Sequence, residues 1–177
     1  SSLTGMGELM KNGCTTCFDH HYVFPANGGD LISAQFEAAE TLGMRMYASR
    51  GSMDLSVKDG GLPPDSVVQS VDEILRDSIR LIEKYHDPSF GSMRCVALAP
   101  CSPFSVSAEL LKQSALLARQ YHVRLHTHLC ETKDEENYTL SRCQMRPLEY
   151  MESLGWIGSD VWFAHGIHFN DAELKRL

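Results

Sequence analysis

Apolar and polar positions along the chain form a regular succession of helix-like and strand-like segments. Short apolar runs typical of buried strands are separated by amphipathic segments with helical spacing. The predicted strands cover residues 14–18, 44–48, 94–99, 123–125 and 161–164. The predicted helices cover residues 3–12, 30–42, 67–85, 107–121 and 147–154, with a last one that begins after Asn170. One helix followed by five strand–helix units predicts a parallel sheet covered by helices.

Residues that commonly begin or end helices support these boundaries. Asn12-Gly13 and Gly43 are expected to end the first two helices. Asp65 or Ser66 is expected to cap the longest helix. Two polar segments are predicted to be loops, namely residues 50–64 and the acidic stretch 133–137. A connection as long as residues 50–64 often carries function when it lies at a catalytic rim.

The spacing of the strand ends, roughly 30 to 40 residues, is compatible with either a doubly wound sheet or a (β/α)8 barrel. No glycine-rich phosphate loop follows a strand, which disfavours dinucleotide binding. The residues able to do chemistry lie at the C-terminal ends of the strands, where a barrel builds its active site. These residues are His20, Arg50, Cys101, His128 and His165. Five strands do not close an eight-stranded barrel, so we expect residues 1–177 to be an internal piece of a longer catalytic barrel.

The charge balance bears on the class of partner. The chain has 16 basic and 23 acidic residues and a formal net charge of −7, which disfavours nucleic acid and anionic membranes as partners. No apolar stretch reaches the roughly 18 residues that a membrane span needs, and the first residues do not resemble a secretory leader. The six cysteines do not form a disulfide framework, which fits a reducing compartment. We therefore predict a soluble, cytoplasmic protein.

The densest candidate chemistry lies in residues 125–131. His126 and His128 are expected to share one face of a strand, while Thr127 takes the other. Glu131 follows where the strand should give way to a loop. A second apolar strand ends in His165 about one βα unit later. Neutral imidazoles beside a carboxylate are what a metal-activated water requires, although core or surface histidines would give the same pattern.

Five longer motifs resemble the amidohydrolase superfamily. They are residues 50–56 (RGSMDLS), 58–65 (KDGGLPPD), 99–106 (APCSPFSV), 125–132 (LHTHLCET) and 162–168 (WFAHGIH). Within the superfamily they look closest to the branch that holds 8-oxoguanine deaminase and hydroxydechloroatrazine ethylaminohydrolase. The resemblance implies an α/β fold, the (β/α)8 TIM-type barrel of metal-dependent hydrolases. Residues 1–177 would cover about strands 2 to 6 and lack strands 1, 7 and 8 and the small β-domain.

The resemblance also implies roles for individual residues. His128 would be a metal ligand, and His165 would contact the metal or its water and orient the attack. Glu131 would carry protons from the water to the substrate ring nitrogen and the leaving amine. Arg50 and Cys101 would contact the substrate. His126 is expected to pack one layer deeper, and His20, His21, His86, His122 and His168 are taken as structural.

The implied activity is hydrolytic deamination of an aminated N-heterocycle, 8-oxoguanine or a related oxopurine, with release of ammonia. One divalent ion is expected, Zn²⁺ with Fe²⁺ as the alternative, together with a small heterocyclic substrate and a homo-oligomer as an option. An H-x-H pair before Ser1 and an Asp after Leu177 would complete the site. A hydrolase of hydroxytriazines or cyclic amides on the same scaffold, and a degenerate barrel without activity, stay open.

Overall fold

The computed structural model describes residues 1–177, which form a parallel five-stranded sheet with a helical layer. The helices are α1 (Ser2–Lys11), α2 (Leu31–Leu42), α3 (Val71–Tyr85), α4 (Ala108–Tyr121), α5 (Lys133–Cys143), α6 (Pro147–Ser153) and α7 (Asp171–Leu174). The strands are β1 (Thr16–Asp19), β2 (Arg45–Ser52), β3 (Arg94–Pro100), β4 (Arg124–Leu129) and β5 (Val161–His165). Every helix is too short or too polar to cross a membrane.

The strands lie side by side in the order of the sequence, β1-β2-β3-β4-β5, and every neighbouring pair is parallel. A doubly wound sheet reverses its strand order at a switch point, and this sheet does not. Because parallel crossovers are right-handed, an unreversed order places the helices on one side of the sheet. The topology is therefore that of a barrel wall.

The sheet is strongly curled. The rings of Phe18 in β1 and Trp162 in β5 are 5.1 Å apart between centroids, although three strands separate them. In a flat sheet, four strand spacings would put them about 19 Å apart. Phe18 also meets His126 of β4, with centroids 4.9 Å apart. The concave face therefore brings the inward side chains of the first and last strands together.

The main hydrophobic core lies between the convex face of the sheet and the helices. Met46 and Ala48 of β2, Leu98 of β3 and Leu125 of β4 belong to one buried cluster, and Leu125 is fully buried. Side chains alternate along each strand, so the residues between these positions face the concave side. His126 and His128 thus share the concave face, as the sequence predicted.

Two predicted boundaries are wrong for reasons of helix capping. The longest helix begins at Val71, because Ser70 and Glu73 form a reciprocal capping box. The acidic stretch 133–137 is the first part of α5 and not a loop. Thr132 caps this helix by accepting the N–H of Glu135, and acidic side chains in a first turn are favoured by the helix dipole.

Candidate active site

His128 lies on the concave face of β4 with one ring nitrogen fixed. Its Nδ1 is 2.7 Å from the carbonyl oxygen of Cys101. A carbonyl only accepts, so Nδ1 carries the proton and Nε2 keeps its lone pair. This arrangement of a backbone carbonyl behind one nitrogen is the usual support for a metal-binding imidazole. His128 is thereby oriented to offer Nε2 as a ligand.

His165 and Glu131 lie beside His128. The rings of His128 and His165 stack with centroids 5.2 Å apart and planes at 25°. The Nε2 atom of His165 is 3.6 Å from a carboxylate oxygen of Glu131, and the two side chains are 36% and 47% exposed. A ligand can therefore reach both groups from solvent. The structure brings these three predicted residues together.

Unusual backbone conformations position the side chains of Glu131 and His165. His165 has φ +70° and Cys130, which precedes Glu131, has φ +54°. Left-handed backbone is uncommon for residues other than glycine and is often retained at functional sites. Strand alternation from Trp162 would turn His165 toward the helices, and the left-handed conformation ends that alternation. The N–H groups of Gly166 and His168 donate to the carbonyls of Leu129 and Cys130, both at 3.0 Å, and join the two strand ends.

His20, expected from the sequence to be structural, also lies in this cluster. Its ring stacks on that of His128, with centroids 4.5 Å apart and planes at 18°. Its Nε2 lies 3.0 Å from the carbonyl oxygen of Ala99, and its buried Nδ1 has no partner. Burial lowers the pKa of His20 to about 3, so the ring is neutral. Its position just after β1 was the signal in the sequence, but only the curl of the sheet shows that β1 reaches β4.

His126 lies deeper in the concave face. Its Nδ1 is 3.1 Å from the carbonyl oxygen of Trp162, and its ring lies 4.7 Å from the Trp162 ring. Burial lowers its pKa to about 4. These contacts agree with the expected packing role.

Cys101 and Tyr22 also lie close to His128. The Cys101 thiol is 4.0 Å from His128 Nδ1, and burial raises its pKa, which keeps it protonated. The Tyr22 ring meets that of His128 edge-on, with centroids 5.7 Å apart. The expectation for Cys101 is therefore compatible with its position, and Tyr22 is a neighbour that the sequence did not indicate.

The expected substrate contact of Arg50 is corrected by the structure. Arg50 lies within β2 and not in a loop, and it is 1% exposed. Its guanidinium donates to Asp77 at 2.5 Å and to Gln69 at 2.8 Å and lies over the ring of Phe24. By strand alternation it points to the helix layer with Met46 and Ala48. Its donors are engaged on the side of the sheet opposite the histidines.

The cluster suits part of a metal site. Within residues 1–177, no group of three or more His, Cys, Asp or Glu residues has the geometry to hold a metal ion. Even so, His128 has a free, oriented Nε2, and a second imidazole and a carboxylate lie next to it. Imidazole and carboxylate are ligands that Zn²⁺ takes. The residues present therefore fit a divalent ion whose coordination they complete only in part.

Comparison with known proteins gives a consistent result. The model of the amidohydrolase family matches residues 1–177. The chain is 51% identical to 8-oxoguanine deaminase of Pseudomonas aeruginosa over 172 residues, which is 97% of this chain and 38% of that protein. It is 42% identical to hydroxydechloroatrazine ethylaminohydrolase of Pseudomonas sp. (strain ADP) over 178 residues, 100% of this chain and 37% of that protein.

Comparison with solved structures shows that the similarity also holds for the fold. The zinc complex of atrazine chlorohydrolase from Arthrobacter aurescens TC1 superimposes with a TM-score of 0.94 at 34% identity, covering 99% of this chain and 39% of that one. The likeness and the curled parallel sheet confirm the prediction of a TIM-type barrel. The chain spans about 38% of the length of the first relative it matches.

Proposed function

The chain belongs to the amidohydrolase family, and from this membership we propose that it carries part of the active site of a metal-dependent hydrolytic deaminase. The substrate is an aminated N-heterocycle, 8-oxoguanine or a related oxopurine, and the products are the carbonyl compound and ammonia. The observation that supports this most is the convergence of His128, Glu131 and His165 at one exposed edge of the sheet. The 51% identity to 8-oxoguanine deaminase favours this substrate.

His128 would hold the metal, and His165 would contact the metal or its water. A divalent ion such as Zn²⁺, when bound, lowers the pKa of a coordinated water toward neutrality and makes hydroxide available at physiological pH. Zinc is also present in the similar chlorohydrolase structure. His128 would serve through Nε2, because the carbonyl of Cys101 engages Nδ1.

Glu131 would carry the protons of the reaction. Hydrolytic deamination adds water across a C–N bond, so one proton must reach the ring nitrogen and another the leaving amine. A carboxylate whose side chain is 47% exposed and lies 3.6 Å from His165 can accept a proton from water and release it to a bound ring. His165 would orient the water toward the amine-bearing carbon by a hydrogen bond.

Cys101 is proposed to line the substrate side, next to His128. A neutral thiol is a weak donor and acceptor, so this contact would shape the pocket more than polarise the ring. Arg50 has no part in the proposal.

A second activity on the same scaffold is hydrolysis of hydroxytriazines, which the 42% identity to hydroxydechloroatrazine ethylaminohydrolase supports. The full-length protein, loaded with Zn²⁺, should be assayed for amine release from 8-oxoguanine, guanine and an ethylamino-hydroxytriazine, and for ring opening of a cyclic amide. The proposal expects the highest kcat/KM for 8-oxoguanine with ammonia as product. A preference for the triazine would select the second activity. No turnover, together with substoichiometric zinc, would indicate a degenerate barrel.

A further inference from the structure

Glu135 is a buried carboxylate with an unusual set of partners. It lies in the first turn of α5 and is 1% exposed. One carboxylate oxygen accepts the backbone N–H of Cys130 at 2.9 Å, and the other accepts that of Glu131 at 3.0 Å. The ion pairs of this turn belong instead to the next residue, Glu136, which contacts Lys133 and Arg146. Glu135 is therefore used for backbone hydrogen bonding and not for an ion pair.

The two N–H groups belong to the turn that presents Glu131. Cys130 has φ +54°, a conformation that costs free energy for a residue with a side chain. The same turn is joined to the end of β5, because His168 N–H donates to the Cys130 carbonyl at 3.0 Å. Any relaxation of residues 130–131 would thus move the Glu131 side chain relative to His165.

We propose that Glu135 is a positioning residue, which holds the strained turn at Cys130 so that the Glu131 carboxylate faces His165. This inference rests on the proposed function, since it concerns the same proton carrier. A carboxylate is required because both of its oxygens accept. A glutamine amide offers one acceptor, and its NH₂ group would oppose the second backbone N–H.

The test compares Glu135→Gln with the neighbouring Glu136→Gln as a matched control, in the full-length, zinc-loaded protein. Glu135→Gln should lower kcat roughly 10- to 100-fold through displacement of Glu131, with KM within about threefold and zinc content unchanged. Glu136→Gln should keep kcat within about twofold, because its carboxylate contacts Lys133 and Arg146 and not the backbone of residues 130–131. A kcat for Glu135→Gln within about twofold of the wild type, or an equal loss in both variants, would overturn the proposal.

A second variant separates positioning from folding. Glycine adopts positive φ without the steric penalty, so Cys130→Gly should restore part of the kcat lost in Glu135→Gln. If Glu135→Gln does not fold, the double variant is compared with Cys130→Gly alone. A kcat at least about threefold lower in the double variant supports the inference, and any smaller difference overturns it.

The activity of Glu131→Gln distinguishes this inference from the proposed function. If Glu131→Gln is inactive but Glu135→Gln is not, only the positioning role fails. If Glu131→Gln is as active as the wild type, both the positioning role and the proposed function fail.

Discussion

The Nδ1 atom of His128 lies 2.7 Å from the carbonyl oxygen of Cys101, a residue that follows the neighbouring strand β3. Adjacent parallel strands thus supply the proposed metal ligand and the carbonyl that orients it. His126 makes a similar contact with Trp162 of the adjacent strand β5, and His20, which follows β1, makes one with Ala99 of β3, two strands away. Each of these imidazoles has one nitrogen bound to a backbone carbonyl of another strand, which fixes the ring orientation before any ligand binds.

His128→Ala should lower the zinc bound by the full-length protein well below one equivalent and reduce kcat/KM by at least about 100-fold, because a ligand is removed. Zinc is measured by atomic emission after dialysis against a weak chelator. His122→Asn is the control, since His122 is exposed, has φ +55° and ends α4, where asparagine is well tolerated. Full zinc content in His128→Ala would remove His128 from the ligand set.

Arg50→Met should change stability and leave substrate affinity alone. The guanidinium is buried and paired with Asp77, so its loss should reduce the free energy of unfolding by about 3 kcal/mol. Denaturant unfolding and KM are measured together. Arg76→Met, on the exposed side of the same helix as Asp77, should change the unfolding free energy by less than about 0.5 kcal/mol. A raised KM with unchanged stability would reinstate Arg50 as a substrate contact.

Stability should fall as pH decreases below the ordinary histidine pKa, partly through His86. Its Nδ1 accepts the Val96 N–H at 3.2 Å, and burial lowers its pKa. The unfolded chain binds this proton first, from about pH 6.5 downward, so unfolding becomes more favourable at lower pH. His20 and His126, with pKa values of about 3 and about 4, act in the same direction.

The contribution of His86 is isolated with His86→Asn, whose side-chain oxygen can accept the same N–H without titrating. The free energy of unfolding is compared at about pH 5.5 and about pH 7.5. The wild type should lose more stability between the two values than the variant. Equal losses would show that His86 does not contribute.

Gly51→Ala should displace the segment that carries His20 and Tyr22. A Cβ atom at position 51 would clash with the His21 carbonyl oxygen and lie 2.7 Å from the Tyr22 Cα. We expect a loss of about 1–3 kcal/mol in the free energy of unfolding and a lower kcat/KM. Gly5→Ala in α1 is the control, because nothing lies within 4 Å of its added Cβ and alanine is the better helix former. Unchanged kcat/KM in Gly51→Ala would contradict the expectation that activity depends on the position of the segment that carries His20.

Local periodicity predicted the order of strands and helices, whereas the resemblance to amidohydrolases implied the barrel and the roles of the central residues. The strand–helix alternation was legible in apolar runs, and the period of two in β4 placed His126 and His128 together. Arg50 was misassigned because its Gly and Ser neighbours looked like a loop, although extension of the Met46–Ala48 alternation would have turned it toward the helices. The strand continues to Ser52 because residues 49–52 stay paired with residues 97–100 of β3.

Other features depend on contacts distant in sequence. His20 joins the site only because the sheet curls until β1 approaches β5. The left-handed backbone at Cys130 and His165 has no signature in the residue types. The burial of Glu135 could not be recognised from the sequence, because the residue lies in an acidic run that resembles a solvated loop. This run is the first turn of α5.

The central claim is that His128, Glu131 and His165 act on one hydrolytic water, and Glu131→Gln tests it most directly. The measurement is ammonia release from 8-oxoguanine by the full-length, zinc-loaded variant, with zinc content determined on the same sample. We predict turnover lower by a factor on the order of 10²–10⁴ with zinc retained. Turnover near that of the wild type would contradict the account.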